Sequence, residues 1–364
     1  MRKVYLDSMA TTAIHPEVAE EMLPWLKEGF GNPQSLHSFG VESKEAIEEA
    51  RAKVATLIGG APGEIYFTSS GTEANNFALK GLTFAHRKRG KHIIVSQIEH
   101  HSILHSAEFL ETLGFEVTYL PVDKFGLVDP DDVKKVMRKD TILLSVMHAN
   151  AEVGTIEPVA DVARLARAKG VVVHTDAVAS VGYVPVDVRE LGVDALSLAG
   201  HQFYGPKGVG ALWVKKGVRI VPFMHGGIQE EGRRAGTENV MGIVGLGKAA
   251  TMAEKELIPQ MCEVRTLRDR LMQELPRKID RVYPTGHPHQ RLPHHASFCI
   301  EFIEGESMLL HLDTVGVSAS SGSACTSRAL KASHVLSAMG ISAELAQGSL
   351  VFGLGIQNTE EEID

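Results

Sequence analysis

The sequence predicts an α/β protein. A large domain carries a mostly parallel sheet of seven strands with helices on both faces, and a smaller α+β domain follows. Three observations predict it. Short β-branched runs alternate with helix-length segments through the first two thirds of the chain. Glycine is abundant, 35 of 364 residues, while aromatic residues are only 6%, which suits many tight strand-to-helix turns. After Asn239 the alternation stops and a long helical pattern takes over.

In chain order, strands are expected at 65–68, 92–96, 116–121, 141–148, 170–175, 195–198 and 210–214. Helices are expected between them, at 71–90, 102–113, 129–138 and 158–169. Asp129-Pro130 is a helix start, an N-cap followed by proline in the first turn. Gly114 and Gly170 read as C-caps. Strands joined by helices of this length imply right-handed crossovers and a parallel sheet buried on both faces. Ligands of such sheets sit beyond the carboxyl ends of the strands. Beyond Asn239 come a helical stretch at 240–278, a strand at 297–303 and a helix at 306–315. A small-residue loop at 318–327 and a strand at 349–354 follow. This pattern divides the chain into a large domain, 15–255, and a small domain made of 1–14 and 256–364. The last residues, 359–364, read as the first turn of a helix that is expected to continue further.

Composition narrows the function. The net charge of −8 gives no general attraction for nucleic acid. The one dense basic run, 87–91, falls where a helix should end, and there it complements the helix dipole. No apolar run of the ~18 residues needed to span a membrane occurs, and the first residues lack a signal-peptide core. The three cysteines, Cys262, Cys299 and Cys325, form no CxxC pair. Free thiols in a reducing cytoplasm are expected. There is no HExxH and no Cys/His cluster at zinc spacing. Adjacent histidines on a strand, such as His294-His295, point to opposite faces and chelate poorly. There is also no P-loop, and no dinucleotide glycine fingerprint in a strand-to-helix setting.

Three motifs carry chemistry. In Phe67-Thr68-Ser69-Ser70-Gly71-Thr72-Glu73-Ala74-Asn75-Asn76 a strand runs into a small-residue turn and then a helix, whose free amides favour a phosphate. His174-Thr175-Asp176 places a carboxylate at a strand end. The next strand ends in Gly200-His201-Gln202, followed by Tyr204-Gly205-Pro206-Lys207-Gly208. A phosphate cup, a strand-end carboxylate and a strand-end polar cluster, in this order, suggest a pyridoxal phosphate site.

With these and further stretches the chain resembles the cysteine desulfurases of the NifS/IscS type. The stretches are Tyr5-Leu6-Asp7 with Ala10-Thr11-Thr12, Gly31-Asn32-Pro33-Gln34-Ser35-Leu36-His37 and Glu99-His100-His101. To them are added Gly236-Thr237-Glu238-Asn239, Ser321-Gly322-Ser323-Ala324-Cys325 and Ser333-His334-Val335-Leu336. The resemblance runs from about residue 5 to residue 364. It implies the class V aminotransferase group of pyridoxal-phosphate fold type I, and a homodimer with active sites at the subunit interface. It also implies roles. His100 would stack over the pyridoxal ring and serve in proton transfer; the alternative is a hydrogen-bonded strand-end histidine. Asp176 would hold the pyridine nitrogen protonated, making the ring an electron sink. Thr72 and His201 match phosphate-cup positions, and Thr237 matches a threonine that reaches the neighbouring subunit's phosphate. Cys325 matches the thiol that takes substrate sulfur as a persulfide; the alternative is a buried core cysteine.

The sequence departs from this family at five positions. Its Ser-Gly-His-Lys is Ala199-Gly200-His201-Gln202 here, and Gln202 has no amine with which to form a Schiff base or shuttle a proton. Lys207 is no obvious substitute, since the family also carries a lysine in this turn. Ala199 replaces a phosphate-binding serine. Ala151 replaces the second asparagine of the family's Asn-Asn-Glu, and Ala179 a glutamine that meets the cofactor hydroxyl. Val351 replaces the arginine that clamps the substrate carboxylate. The retained Asp176 requires either a cofactor bound without a covalent link or another donor. The expectation is therefore a protein of sulfur mobilisation and iron–sulfur cluster assembly. It would work with a scaffold protein through Cys325, which would carry sulfur or lend a ligand to a shared cluster. The rival expectations are a working cysteine desulfurase and a pyridoxal enzyme with another substrate.

Overall fold

The structure, a computed structural model, describes residues 3–322 and 332–364. In chain order its strands are β1 (Val4–Tyr5), β2 (Ile65–Thr68), β3 (His92–Ser96), β4 (Glu116–Leu120), β5 (Thr141–Ser145) and β6 (Val172–Asp176). They continue with β7 (Ala195–Ala199), β8 (Gly210–Val214), β9 (Val282–Pro284), β10 (His295–Ile300), β11 (Val317–Ser318) and β12 (Ser349–Gly353). The first four helices are α1 (Pro16–Lys27), α2 (Ser38–Leu57), α3 (Gly71–His86) and α4 (His101–Thr112).

Strands β2 to β8 form one sheet in the order β2-β8-β7-β6-β5-β3-β4. All neighbours are parallel except β8, which is antiparallel to both β2 and β7. The reason is the connection: β7 and β8 are joined by a short turn, too short for the crossover that parallel neighbours need. Side chains alternate between two cores, as the period of two requires. Ile65, Phe67, Ile94, Leu144 and Val173 enter one; Tyr66, Ile93, Val95, Leu143 and Val172 enter the other. The strands and helices expected from the sequence are present, with ends shifted by a few residues. The helix expected at 71–90 stops at His86, and β5 stops at Ser145. Past Ser145 the backbone still follows β6, with Val146 N and His148 N donating to His174 O and Asp176 O.

The helical stretch 240–278 is continuous but irregular. Asn239 caps its start by accepting from Gly242 N, and a π-helical segment, Ala253–Leu257, interrupts it. Pro259 follows at once in Ile258–Lys278. Its missing N–H and its ring are incompatible with an ordinary α-turn onto residue 255, and the wider turn relieves the clash. The second half of this helix packs on the antiparallel sheet β12-β10-β9. The core there contains Met261, Val264, Leu271, Ala296, Phe298, Leu350 and Phe352. β1 pairs in parallel with β11, which brings the first residues of the chain to this region. The last residues form the expected helical turn, Glu360–Ile363, with a capping box from Thr359. Among the described residues no helix is long and apolar enough to cross a membrane.

The free edge at β2 is closed by a buried ion pair. Arg51 of α2 donates to both oxygens of Glu230 at 2.7 and 2.8 Å, and to Ile65 O at 2.8 Å. Glu230 in turn accepts from Phe67 N at 2.8 Å. The pair thus takes the places of a missing strand's N–H and C=O. Arg51→Met leaves the Glu230 carboxylate buried without its partner and is expected to cost about 3–5 kcal/mol of stability. Glu230→Gln, which still accepts from Phe67 N, costs less. Urea denaturation of the two variants checks this; an Arg51→Met midpoint equal to wild type overturns it.

Candidate active site

The carboxyl ends of β2, β3, β5, β6 and β7 surround a cavity of about 350 Å³. At the end of β2, Ser70 caps α3 by accepting from Glu73 N, and Gly71 and Thr72 form the first turn. Residues 71 and 72 present their amides at the start of a 16-residue helix, where the dipole favours an anion. Glu73 anchors this turn. It accepts from Ser69 N and Ser69 Oγ, and from Arg234 Nε at 2.8 Å. Burial raises its pKa, but the bonds from Arg234 and Ser69 outweigh it and hold the carboxyl below its usual range.

At the end of β6, Asp176 is buried. Its Oδ2 accepts from Asn75 Nδ2 at 2.6 Å and its Oδ1 from Val178 N at 3.0 Å. Burial raises its pKa, and attraction to His100 and these bonds oppose the rise. The same Asn75 Nδ2 reaches Ser102 Oγ at 2.9 Å, and Ser102 Oγ lies 2.7 Å from His100 Nδ1. His100 Nδ1 also accepts from Ser102 N, so the neutral ring carries its proton on Nε2. A hydrogen-bonded line thus runs from Asp176 through Asn75 and Ser102 to His100. Protein donors satisfy Asp176, so its presence does not by itself require a cofactor.

Asn75 is a site residue that motif reading does not single out. It lies three residues beyond Thr72, hence on the same helix face, and that spacing was the available signal. Glu99 is a second such residue. It is fully buried and its Oε1 accepts from Ser96 Oγ and Met147 N. Burial, with the nearby Asp176, pushes its pKa well up. Glu152 is likewise raised by burial, to about 7.

The end of β7 supplies His201 and Gln202. Gln202 Nε2 donates to Met9 O at 3.1 Å and to Ala10 O at 3.4 Å. These carbonyls lie some 190 residues away in sequence, and no local pattern announces them. His201 is lowered by burial and then by Lys207. Lys207 itself does not line the cavity, and among the described residues that do, none is lysine or arginine.

The site thus brings together Thr72, His100, Asp176, His201 and Gln202. Thr237 is exposed and lies outside this cavity. Cys325 lies outside the described residues, although Ser320 to Gly322 lead to the cavity wall. Four of the five departures can now be placed. Ala151, Ala179, Gln202 and Val351 all line the cavity. Ala179 and Val351 pack with Met9, Ala149 and Leu292 into one apolar cluster. The fifth, Ala199, sits behind α3: a Cβ added to Gly71 would lie 3.5 Å from its Cβ. Among the described residues no cluster of three metal-ligating side chains occurs.

Known proteins resemble this chain throughout. A protein of Dictyoglomus turgidum named cysteine desulfurase IscS is 54% identical over 363 residues, covering 100% of this chain and 92% of its own length. One of the same name from Methanosarcina thermophila is 52% identical, covering 100% and 90%. A solved structure titled NIFS-LIKE PROTEIN is 39% identical and superposes with a TM-score of 0.94 over 100% of this chain and 96% of its own. The architecture agrees with pyridoxal-phosphate fold type I. The aminotransferase class-V pattern matches residues 4–364, and the chain belongs to that family.

Proposed function

We propose that the chain is a sulfur-mobilising protein of the desulfurase type. In this reading it binds pyridoxal phosphate without a covalent bond and passes sulfur through Cys325 to an iron–sulfur scaffold protein. The observation that carries the reading is the cavity itself. It keeps the Asp176-to-His100 line and the α3 amides, yet presents an amide where the family presents an amine.

Family membership implies pyridoxal phosphate as the cofactor. The residues present fit it as a non-covalent ligand. Asn75, His201 and Gln202 line the cavity, and their Oδ1, Nδ1 and Oε1 atoms are buried without a partner among the described residues. A polar ligand would satisfy them, whereas unpaired they cost stability. Asp176 would hold the ring nitrogen, His100 would lie against the ring, and Thr72, His201 and the α3 amides would hold the phosphate. When bound, the cofactor supplies an electron sink. Gln202 cannot carry a proton to or from a substrate carbon, and Val351 cannot pair with a carboxylate. Both observations favour a weak or altered amino-acid chemistry.

Sulfur handling by Cys325 needs none of this. A Cys325 thiolate attacks the sulfane sulfur of a donor persulfide. A new S–S bond forms as the donor's breaks, and the donor leaves as a thiol, with no net oxidation. The same thiolate can lend a ligand to a nascent iron–sulfur cluster, its cargo. A homodimer accords with the surface. Phe30, Leu36 and Ile228 are 76%, 97% and 78% exposed. Gln34 Nε2 donates to Glu238 Oε1 at 3.2 Å and ties the 32–36 loop to the loop of Thr237. A second copy would cover this apolar face and bring Thr237 to its partner's site. The reducing cytoplasm suits a transfer thiol.

Borohydride is expected to trap no pyridoxyl–protein adduct, because Gln202 has no amine; a pyridoxyllysine at Lys207 would refute this. Gln202→Lys should restore the covalent link but not full cysteine desulfuration. Adding Val351→Arg should raise kcat/KM about ten- to a hundredfold further, as a charge-assisted pair of ~1.5–3 kcal/mol would. Full turnover by Gln202→Lys alone would show that the apolar cluster does not limit the reaction.

Among the thiols, Cys325 should alkylate fastest and Cys299 slowest. Cys299 is buried on β10, and burial pushes its thiol up to about 12. Cys325→Ser is expected to leave folding intact and to abolish sulfur transfer to the scaffold. Peptide mass spectrometry after timed alkylation, with cluster assembly by the variant, checks both. An inert Cys325 and normal assembly would sink the sulfur-transfer reading.

A further inference from the structure

The amide of Gln202 has a fixed orientation. Two backbone carbonyls, Met9 O and Ala10 O, sit 3.1 and 3.4 Å from its nitrogen. Rotating the amide by half a turn would bring its oxygen against both carbonyls, three acceptors with no proton between them. The nitrogen therefore faces the carbonyls and the oxygen faces away from them. Gln202 is 7% exposed and lines the cavity, and among the described residues its Oε1 has no hydrogen-bond partner. The cavity-lining side chain thus holds a buried, unpaired acceptor at the position where the family has an amine donor.

Among the described residues no donor stands within hydrogen-bond distance of that oxygen. Among the described lining residues there is no lysine or arginine. Asn75 Nδ2, an obvious amide donor, is already shared between Asp176 and Ser102. His334 Nε2 is engaged with Glu99 O. Asn150 Nδ2 donates to Ile98 O. A buried acceptor without a donor is costly, and a charged donor returns more than a neutral one. A ligand that completes this site must bring a donor of its own, and a charged N–H is the strongest such donor.

We infer that the site selects the amine form of its cofactor, pyridoxamine phosphate, over the aldehyde form, pyridoxal phosphate. The inference rests on the reading that a B6 phosphate occupies this cavity with its C4 substituent beside residue 202. The two forms share ring, methyl, hydroxyl and phosphate, so all other contacts cancel in the comparison. They differ only at that substituent. The aldehyde oxygen is an acceptor and would meet Gln202 Oε1 lone pair against lone pair. The aminomethyl group is a donor, and when protonated it is a cation in a cavity whose described lining has carboxyl groups and histidines but no lysine or arginine. A lysine at position 202 inverts the preference, because it joins the aldehyde covalently and repels the ammonium. Gln202 is thereby a specificity-determining residue for the oxidation state of the ligand.

The test is calorimetric titration of the full-length protein, freed of small molecules, with pyridoxamine phosphate, pyridoxal phosphate and pyridoxine phosphate. Pyridoxine phosphate carries a hydroxyl that can donate without charge. Pyridoxamine phosphate is expected to bind about ten- to a hundredfold more tightly than pyridoxal phosphate, with pyridoxine phosphate between them. Gln202→Met keeps the length and removes the acceptor; it should reduce the preference to within about threefold. The wild-type comparison stands even if that variant does not fold. Equal affinities, or tighter binding of the aldehyde, overturn the inference and leave the cofactor reading standing. A preference that survives in Gln202→Met also overturns it, since residue 202 would not be the cause. Binding of none of the three compounds overturns the cofactor reading, and the inference with it.

Discussion

Asp176 and Asn75 meet at 2.6 Å below the cavity, and much of the site is arranged around that bond. A carboxyl group at the end of an interior strand has left water and needs donors. Val178 N supplies one from the turn after β6, and Asn75 supplies the other from α3. Because α3 must present Asn75 at this depth, its first turn is fixed against the ends of β2 and β6. That in turn fixes where the amides of residues 71 and 72 lie. Ser102 receives the second proton of the same amide and hands its own to His100. One strand-end carboxyl thus positions two helix starts and a histidine ring. Glu99 completes this polar floor, its Oε1 accepting from Ser96 Oγ and Met147 N.

The opposite wall follows another logic. Ala179 and Val351 pack on Met9, Ala149 and Leu292. Where the family resemblance implies amides and an arginine, this chain has a continuous apolar surface. The substitutions are coupled by packing. Val351 shares one buried apolar cluster with Ala179 and Met9. An arginine placed there alone would need its guanidinium solvated within an apolar pocket, and without a ligand carboxylate that is unfavourable. This coupling is a physical reason for the changes to occur together. It also separates the two halves of the site: one side retains the means to hold a pyridine ring and a phosphate, while the other no longer offers a carboxylate its partner.

Much of this was legible in the sequence. The alternation of β-branched runs with helix-length segments determined the parallel sheet, because strands buried on both faces need apolar residues at every position. Caps and prolines set several ends, as at Asp129-Pro130, since these residues satisfy or lack the backbone groups left over at helix termini. The strand-end positions of Asp176, His201 and Gln202 followed from the same reading, and parallel topology gathers strand ends at one edge. The resemblance to the desulfurases rested on short motifs that are local in sequence.

Tertiary structure decided the rest, for reasons of distance along the chain. The antiparallel placement of β8 between β2 and β7 pairs Ile65 with Trp213 across the sheet, and no local pattern encodes that neighbour. The closure of the β2 edge joins Arg51 to Glu230, 179 residues apart in sequence. The line from Asp176 to His100 passes through Asn75 and Ser102, which come from different helices. The orientation of Gln202 depends on the carbonyls of Met9 and Ala10, and backbone oxygens have no signature in a sequence at all. The sequence by itself determined which groups the chain owns and which it lacks, above all the absent amine at 202. Only the folded chain decided which way the remaining amide points, because that is set by hydrogen-bond partners that folding alone brings within reach.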